Sequence, residues 1–265
     1  MWIILALTGV GITAGILGAL MGLGGGIFLV PALTLLFHQP IRVAVGTSLV
    51  GVIATSAGVA AMARLGRGAD VALALRLELI TTLGAIAGSV LAGRLDSQSL
   101  SLLFTLVVFL TAAYTGYKAR RQLAVPGKPA IEALFRTDYT PHHWPAGLGI
   151  ASIAGALSGL VGVGGGFVKV PVMYAVMGVP LGVATATSNF MVGITAAASV
   201  FVYYGRGDIH PLVTVPTAMG VFLGAVGGAR LAPRLRVSWL RQALVWLLVL
   251  IGIQMLLKGL GIYVP

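Results

Sequence analysis

Long apolar stretches separated by short polar ones run the length of this chain. They cover about Trp2–Met21, Ile41–Ala63, Ala72–Gly93, Leu100–Tyr117, Ala146–Val161, Leu181–Tyr204, Pro211–Gly228 and Trp239–Leu257. A helix crossing ~30 Å of hydrocarbon needs about 20 residues at ~1.5 Å each, so the long stretches are predicted transmembrane helices. Two further apolar pieces, Ile27–Phe37 and Phe167–Met177, each follow a glycine run and are too short for ordinary spans.

The pattern occurs twice. Leu20-Met21-Gly22-Leu23-Gly24-Gly25-Gly26 aligns with Leu160-Val161-Gly162-Val163-Gly164-Gly165-Gly166. At the same offset Pro31 falls on Pro171, Pro40 on Pro180, Val43-Ala44 on Val183-Ala184 and Thr47-Ser48 on Thr187-Ser188. Further on, Leu83-Gly84 through Arg94-Leu95 aligns with Met219-Gly220 through Arg230-Leu231. Self-similarity on this scale marks duplicated structural units. The expected organisation is a first membrane repeat over 1–121, a polar linker over 122–145 and a second membrane repeat over 146–265.

Composition removes the alternatives to a membrane protein. Hydrophobic residues make up 58% and charged residues 9% of the 265 residues, and the mean hydropathy is +1.03. Soluble domains carry roughly a quarter charged residues. The net charge of +11, from 17 Lys and Arg against 6 Asp and Glu, would suggest nucleic acid in a soluble protein. Lying between apolar runs, these cations instead orient the chain and meet anionic headgroups, so the partner expected is the bilayer and not nucleic acid. Cysteine is absent, which excludes disulfides and thiolate metal sites. The apolar N-terminus lacks the basic flank of a signal peptide and recurs in the second half, so it belongs to the fold.

Cation placement predicts topology. One group is Arg64, Arg67 and Arg76; another is Lys118, Arg120, Arg121, Lys128 and Arg136; the third is Arg230, Arg234, Arg236 and Arg241. By the positive-inside rule these regions are cytoplasmic. The loop at Arg64–Arg76 then lies inside while its equivalent at Gly205–Pro211 lies outside, and the halves have opposite topology. The fold class expected is an all-α integral membrane protein of two inverted-topology repeats, each a glycine-broken hairpin plus three transmembrane helices. Each hairpin must begin and end on one side, as a re-entrant segment or a helix pair, and both termini lie outside.

The glycine runs are the strongest local chemical signal. Three consecutive glycines break a helix at membrane depth, which is tolerated only in protein or beside a wet cavity. Two breaks related by the repeat, Gly24-Gly25-Gly26 and Gly164-Gly165-Gly166, would face each other near the midplane and offer N–H groups to an anion. Small-residue helix packing is the alternative reading of the same glycines. Lys169, whose repeat partner is Leu29, sits in an apolar segment, where a charge marks a pathway or snorkels to an interface. Thr47, Ser48, Thr187, Ser188 and Asn189 could donate to an anion or simply glue helices. Pro31 and Pro171 are given a structural role.

The acids, with Glu78 the deepest, fall in or near predicted loops, and Arg76 is the expected interfacial partner of Glu78. No buried carboxylate or histidine is therefore expected as a proton relay. No P-loop, zincin motif or nucleophile elbow is present, so neither an ATP-driven engine nor an enzyme is expected, and no metal or cofactor site is expected.

Two copies of G-x-G-G-G-x-x-x-x-P, each followed by a proline and an A-x-x-T-S stretch, resemble the sulfite exporter TauE/SafE family. These are Gly22–Pro31 with Ala44–Ser48, and Gly162–Pro171 with Ala184–Ser188. The resemblance spans nearly the whole chain apart from the linker. It implies a prokaryotic inner-membrane permease, often an exporter, for sulfur-containing anions such as sulfite or organosulfonates. The residues themselves point to a small anionic substrate carried by alternating access, with an anion channel or a non-transporting scaffold subunit as alternatives. A homo-oligomer is compatible with the small-residue spacing, which serves dimerisation or internal packing equally.

Overall fold

A computed structural model describes residues 2–21, 24–62, 69–123, 138–231 and 237–262. The cation-bearing loops at 63–68 and 232–236, Gly22 and most of the linker lie outside the described residues. The described residues are helical, without strands. The elements of the first half are α1 (Trp2–Met21), α2 (Gly26–Pro31, continued as a π turn over Ala32–Leu36), α3 (Ile41–Met62), α4 (Val71–Arg94) and α5 (Ser97–Leu123). The second half repeats them as α6 (Trp144–Val161), α7 (Gly166–Pro171, with a π turn over Val172–Val176), α8 (Leu181–Gly205), α9 (Pro211–Leu231) and α10 (Val237–Gly259). Among the described residues, 7 helices are long and apolar enough to cross a membrane. Large apolar side chains such as Leu212, Phe201 and Trp246 cover their outward faces, where lipid rather than water is the matching solvent.

Glycines set how the helices meet. Added Cβ atoms at Gly11 and Gly15 of α1 would run into the backbone of α9 at Thr217 and Val221, and those at Gly220 and Gly224 of α9 into Thr8 and Ile12 of α1. Residue numbers rise together, so α1 and α9 run parallel at backbone contact. The equivalent pair is α4 with α6: Gly84 and Gly88 meet Ser152 and Ala156, while Gly155 and Gly159 meet Thr81 and Ala85. The small-residue spacing is thus spent inside the molecule. Without a hydrophobic drive between helices in lipid, such close packing supplies the adhesion.

Each repeat clasps the other. The first helix of one half lies on the fourth helix of the other half, in both directions. Equivalent helices run opposite ways. Ser56 of α3 meets Asn189 of α8 while Gly46 meets Tyr203 and Asp208, so α3 and α8 are antiparallel. In α5 and α10, Gly116 lies by Val245 and Gly259 by Leu102, again antiparallel. Inverted repeats require this arrangement.

The hairpin geometry follows. Both α1 and α3 run parallel to α9, since Thr47 bonds Thr214 and Gly58 meets Ala225. The chain must therefore turn back between them. It does so at the glycines: Gly25 packs on Ala14, and Gly18 packs on Gly25. One arm of each hairpin is a span-length helix (α1 or α6), and the short arm α2 or α7 returns beside it. Each short helix then widens to a π turn after its proline. Proline lacks the N–H that a regular α ladder would use, which gives Pro31 and Pro171 their structural role.

Candidate functional site

The two glycine breaks meet in the interior. Gly24, Gly25, Gly164 and Gly165 take φ between 68° and 81°, a left-handed conformation nearly closed to other residues. Gly26 and Gly166 begin the short helices. Gly26 lies so close to the Gly162 carbonyl that a side chain there would collide with it. Ser48 donates to that same carbonyl at 2.9 Å. Thr55 donates to the Gly24 carbonyl at 3.1 Å. The hydroxyls of α3 thus satisfy carbonyls that the breaks leave without helical partners.

The other predicted polar residues are dispersed. Thr47 bonds Thr214 of α9 at 3.0 Å. Thr187 accepts from the backbone N–H of Asp70 at 2.9 Å, at the far end of the molecule. These two equivalent threonines therefore hold opposite ends rather than one ligand. Ser188 is buried and its hydroxyl has no partner among the described residues. Asn189 contributes its backbone carbonyl to Ser56 at 2.7 Å.

Lys169 is 2% exposed, the one cation among the described residues in the buried set. Its Nζ donates to Thr195 Oγ1 at 2.6 Å and lies 3.5 Å from Glu78 Oε2. Thr195 Oγ1 in turn donates to Glu78 Oε1, with the Met191 carbonyl 3.0 Å away as a second acceptor. Thr82 donates to Glu78 Oε1 at 3.3 Å. Three helices thus converge on one charged cluster: α7 brings the lysine, α4 the carboxylate and α8 the hydroxyl.

This corrects the sequence reading of Glu78. The residue is not an interfacial partner of Arg76: it is 4% exposed and lies about 10 Å into α4, two turns from its start. Arg76 instead places its guanidinium 5.6 Å from the centre of the Trp144 ring. A carboxylate inside a lipid-embedded helix is expensive unless a cation faces it, and Lys169 supplies that cation. The signal was present in the sequence. Glu78 falls within the predicted span Ala72–Gly93, and Lys169 is the one cation in the two short segments after the glycine runs. Thr195 was missed because its signal is a periodicity: Thr187, Met191, Thr195, Ser199 and Tyr203 form a buried stripe on α8 at helical spacing.

The cluster breaks the pseudo-symmetry. In the repeat alignment Lys169, Thr195 and Glu78 correspond to Leu29, Thr55 and Thr214. The cluster, built from both halves, holds an ion pair where its pseudo-symmetric counterpart holds leucine and a hydroxyl. A narrow cleft beside the cluster is lined by Leu77, Gly147, Ala151, Lys169, Val172, Met173 and Met191. It has room for about one water.

The two ends of the bundle are tied differently. At the end where α4 and α6 begin, Asp70 caps α4 through the Leu73 N–H at 2.9 Å. Tyr139 donates to Asp70 at 2.6 Å. Burial first, and the neighbouring carboxylate second, raise the pKa of the Tyr139 hydroxyl, so it remains a donor. At the opposite end Arg206 bonds the Ser89 carbonyl and Asp208 at 2.8 Å, and stacks on the Tyr203 ring at 4.3 Å. Arg42 donates to the Leu95 carbonyl at 2.6 Å. These bonds join α3, α4 and the α8–α9 loop across the two halves.

Comparison with known proteins follows the whole length of this architecture. The family model described as sulfite exporter TauE/SafE matches residues 7–255. The probable membrane transporter protein YunE of Bacillus subtilis is 28% identical, over 94% of this chain and 96% of its own. A probable membrane transporter protein of Xylella fastidiosa is 30% identical over 83% of this chain and 80% of its own. One of Methanocaldococcus jannaschii is 25% identical over 94% and 93%. No solved structure matches the chain.

Proposed function

The chain belongs to the sulfite exporter TauE/SafE family, a multi-pass membrane protein, and from that premise we propose that it is a secondary transporter of a small sulfur-containing anion. Sulfite or an organosulfonate is the substrate class, and export the direction, on the strength of the family name. The relatives' names as membrane transporters support the same reading. It works in the prokaryotic inner membrane, with both termini outside, by rocking one half against the other.

One observation carries the proposal: a buried lysine stands beneath a glycine-broken helix start, in contact with both halves. The ammonium is the group that holds the anion, and the glycine breaks let backbone N–H groups approach it as the halves move. Ser48, whose hydroxyl already bonds the Gly162 carbonyl, and Ser188, buried without a partner among the described residues, contribute as α3 and α8 slide. Thr187 and Asn189, engaged with Asp70 and Ser56, act only if that motion brings them in. The anion replaces Glu78 as the partner of Lys169. Buried cations demand a partner at all times, so exchange of one anion for another keeps the site neutralised while the substrate is loaded.

Thermal unfolding of the detergent-solubilised protein against sulfite, sulfate, thiosulfate, sulfoacetate, acetate and chloride tests this. A bound anion stabilises the folded state by about 2.7 kcal/mol at a hundredfold excess over its Kd. The expected result is a concentration-dependent rise in Tm with a sulfur oxyanion or sulfonate. That rise disappears in the Lys169→Ala, Glu78→Ala double variant, which leaves no orphaned charge. An unchanged anion response in a folded double variant would remove Lys169 from the site.

A further inference from the structure

An anion cannot simply join Lys169, because its charge is already matched. The Lys169–Glu78 pair is neutral as a unit and nearly sealed from water, with the two side chains 1% and 5% exposed. A monoanion added to it would leave one uncompensated negative charge in a low-dielectric interior, and excess charge there costs several kcal/mol even after relaxation. Among the described residues, nothing else that faces the pair can absorb it. Of the helices packed on α4, α7 brings Lys169, while α6 carries no Asp, Glu, Lys, Arg or His, and α8 presents only the Thr195 hydroxyl to the carboxylate.

We propose that the Glu78 carboxylate is the proton-coupling site of the transporter: it takes up one proton for each anion that Lys169 binds, and gives it up when the anion leaves. This rests on the reading of Lys169 as the anion-binding group and names the ion that moves with the substrate.

The geometry suits the exchange. Glu78 Oε1 is held by the Thr195 and Thr82 hydroxyls, so the carboxyl stays anchored when its other oxygen lets go of the ammonium. Oε2 faces Lys169 at 3.5 Å, a long contact for a charge-assisted bond. A proton from water adds to Oε2; the cleft beside Gly147 and Ala151, with room for about one water, borders the Lys169 side of the pair. The carboxylate becomes a neutral carboxylic acid, no bond to carbon changes, and the ammonium keeps its charge for the anion. Lys169 remains tied through its 2.6 Å bond to Thr195. Charge balance then makes the loaded site neutral, like the empty one, so both forms cross between orientations without carrying net charge. The pseudo-symmetric counterpart of the cluster, with Leu29, Thr55 and Thr214 at the equivalent positions, has no titratable group for this task, so one proton accompanies one anion.

The test measures proton uptake on anion binding in weakly buffered detergent solution, alongside affinity at pH 6 and pH 8. The ligands are sulfite and methanesulfonate; the latter keeps a single negative charge across that range, so its pH dependence belongs to the protein. Wild-type protein should take up close to one proton per methanesulfonate at pH 8, and bind it at least tenfold more weakly there than at pH 6. Glu78→Gln should bind without proton uptake, with an affinity independent of pH and tighter than wild type at pH 8. That variant also assigns the proton to Glu78 rather than to another group of the protein. The wild-type measurement stands alone if the variant does not fold. Anion binding with no proton uptake, or proton uptake that persists in Glu78→Gln, overturns the coupling and leaves the anion site standing. Failure of both anions to bind the folded wild type contradicts the anion site and the coupling with it.

Discussion

A lysine and a glutamate facing each other inside a helical bundle are stable only as a pair, and Thr195 is what holds them in register. Its Oγ1 accepts from Lys169 and donates to Glu78, so one oxygen fixes both charges. Thr195→Val keeps the shape and removes the hydroxyl. Loss of a buried hydrogen bond to a charged group costs about 1.5–3 kcal/mol. The variant should therefore unfold several degrees lower and lose its anion-dependent stabilisation, while Thr195→Ser retains both. Unfolding curves with and without sulfite check this; a valine variant that behaves like wild type would reduce Thr195 to packing. Residue-level chemistry was only half legible in the sequence. Lys169 stood out because lysine is rare in an apolar segment. Glu78 did not, because Arg76 two residues away offered a surface explanation, and only the folded backbone shows that Arg76 turns to Trp144 instead.

At the scale of helices, the glycines carry two separate tasks. Those in the breaks permit backbone turns, and those in α1, α4, α6 and α9 permit close approach. The distinction predicts opposite effects for the same substitution. Gly149 of α6 has no atom within 4 Å of an added Cβ, so Gly149→Ala should be neutral or stabilise by up to ~1 kcal/mol through helix propensity. Gly88 faces the Ala156 carbonyl of α6, so Gly88→Ala must push α4 and α6 apart and should lower Tm despite the same gain in propensity. Differential scanning of the two variants side by side decides it, and a stabilising Gly88→Ala would contradict the α4–α6 contact. The break glycines were legible because they recur before segments too short to span. The packing glycines were visible only as a spacing, since a G-x-x-x-G pattern does not say whether its partner is another helix of the same chain or a second copy.

For the whole molecule, the duplicated pattern and the cation-rich loops were enough to anticipate that equivalent helices run in opposite directions, as α3 with α8 and α5 with α10 do. What the sequence could not convey is how the halves interlock. The contact of α1 with α9 and of α4 with α6 joins elements far apart in the chain, and no local periodicity encodes such a pairing. That interlocking bears on mechanism. Each clasped pair takes one helix from each half, so the proposed movement of one half against the other would have to shear the α1–α9 and α4–α6 contacts as well as the α3–α8 contact, where the two glycine breaks and the Lys169 cluster adjoin. Arg206, bonded to Ser89 and Asp208 at the α8–α9 end, is among the ties that the proposed movement would release.

The proposed transport is carriage of an anion by alternating access through Lys169. Counterflow of radiolabelled sulfite into proteoliposomes preloaded with unlabelled sulfite tests it most directly. The expected result is a transient accumulation of label that saturates with external sulfite and falls at least tenfold in the Lys169→Ala, Glu78→Ala double variant. Flux that rises linearly without counterflow would mean a channel, and counterflow that survives in the double variant would contradict the site.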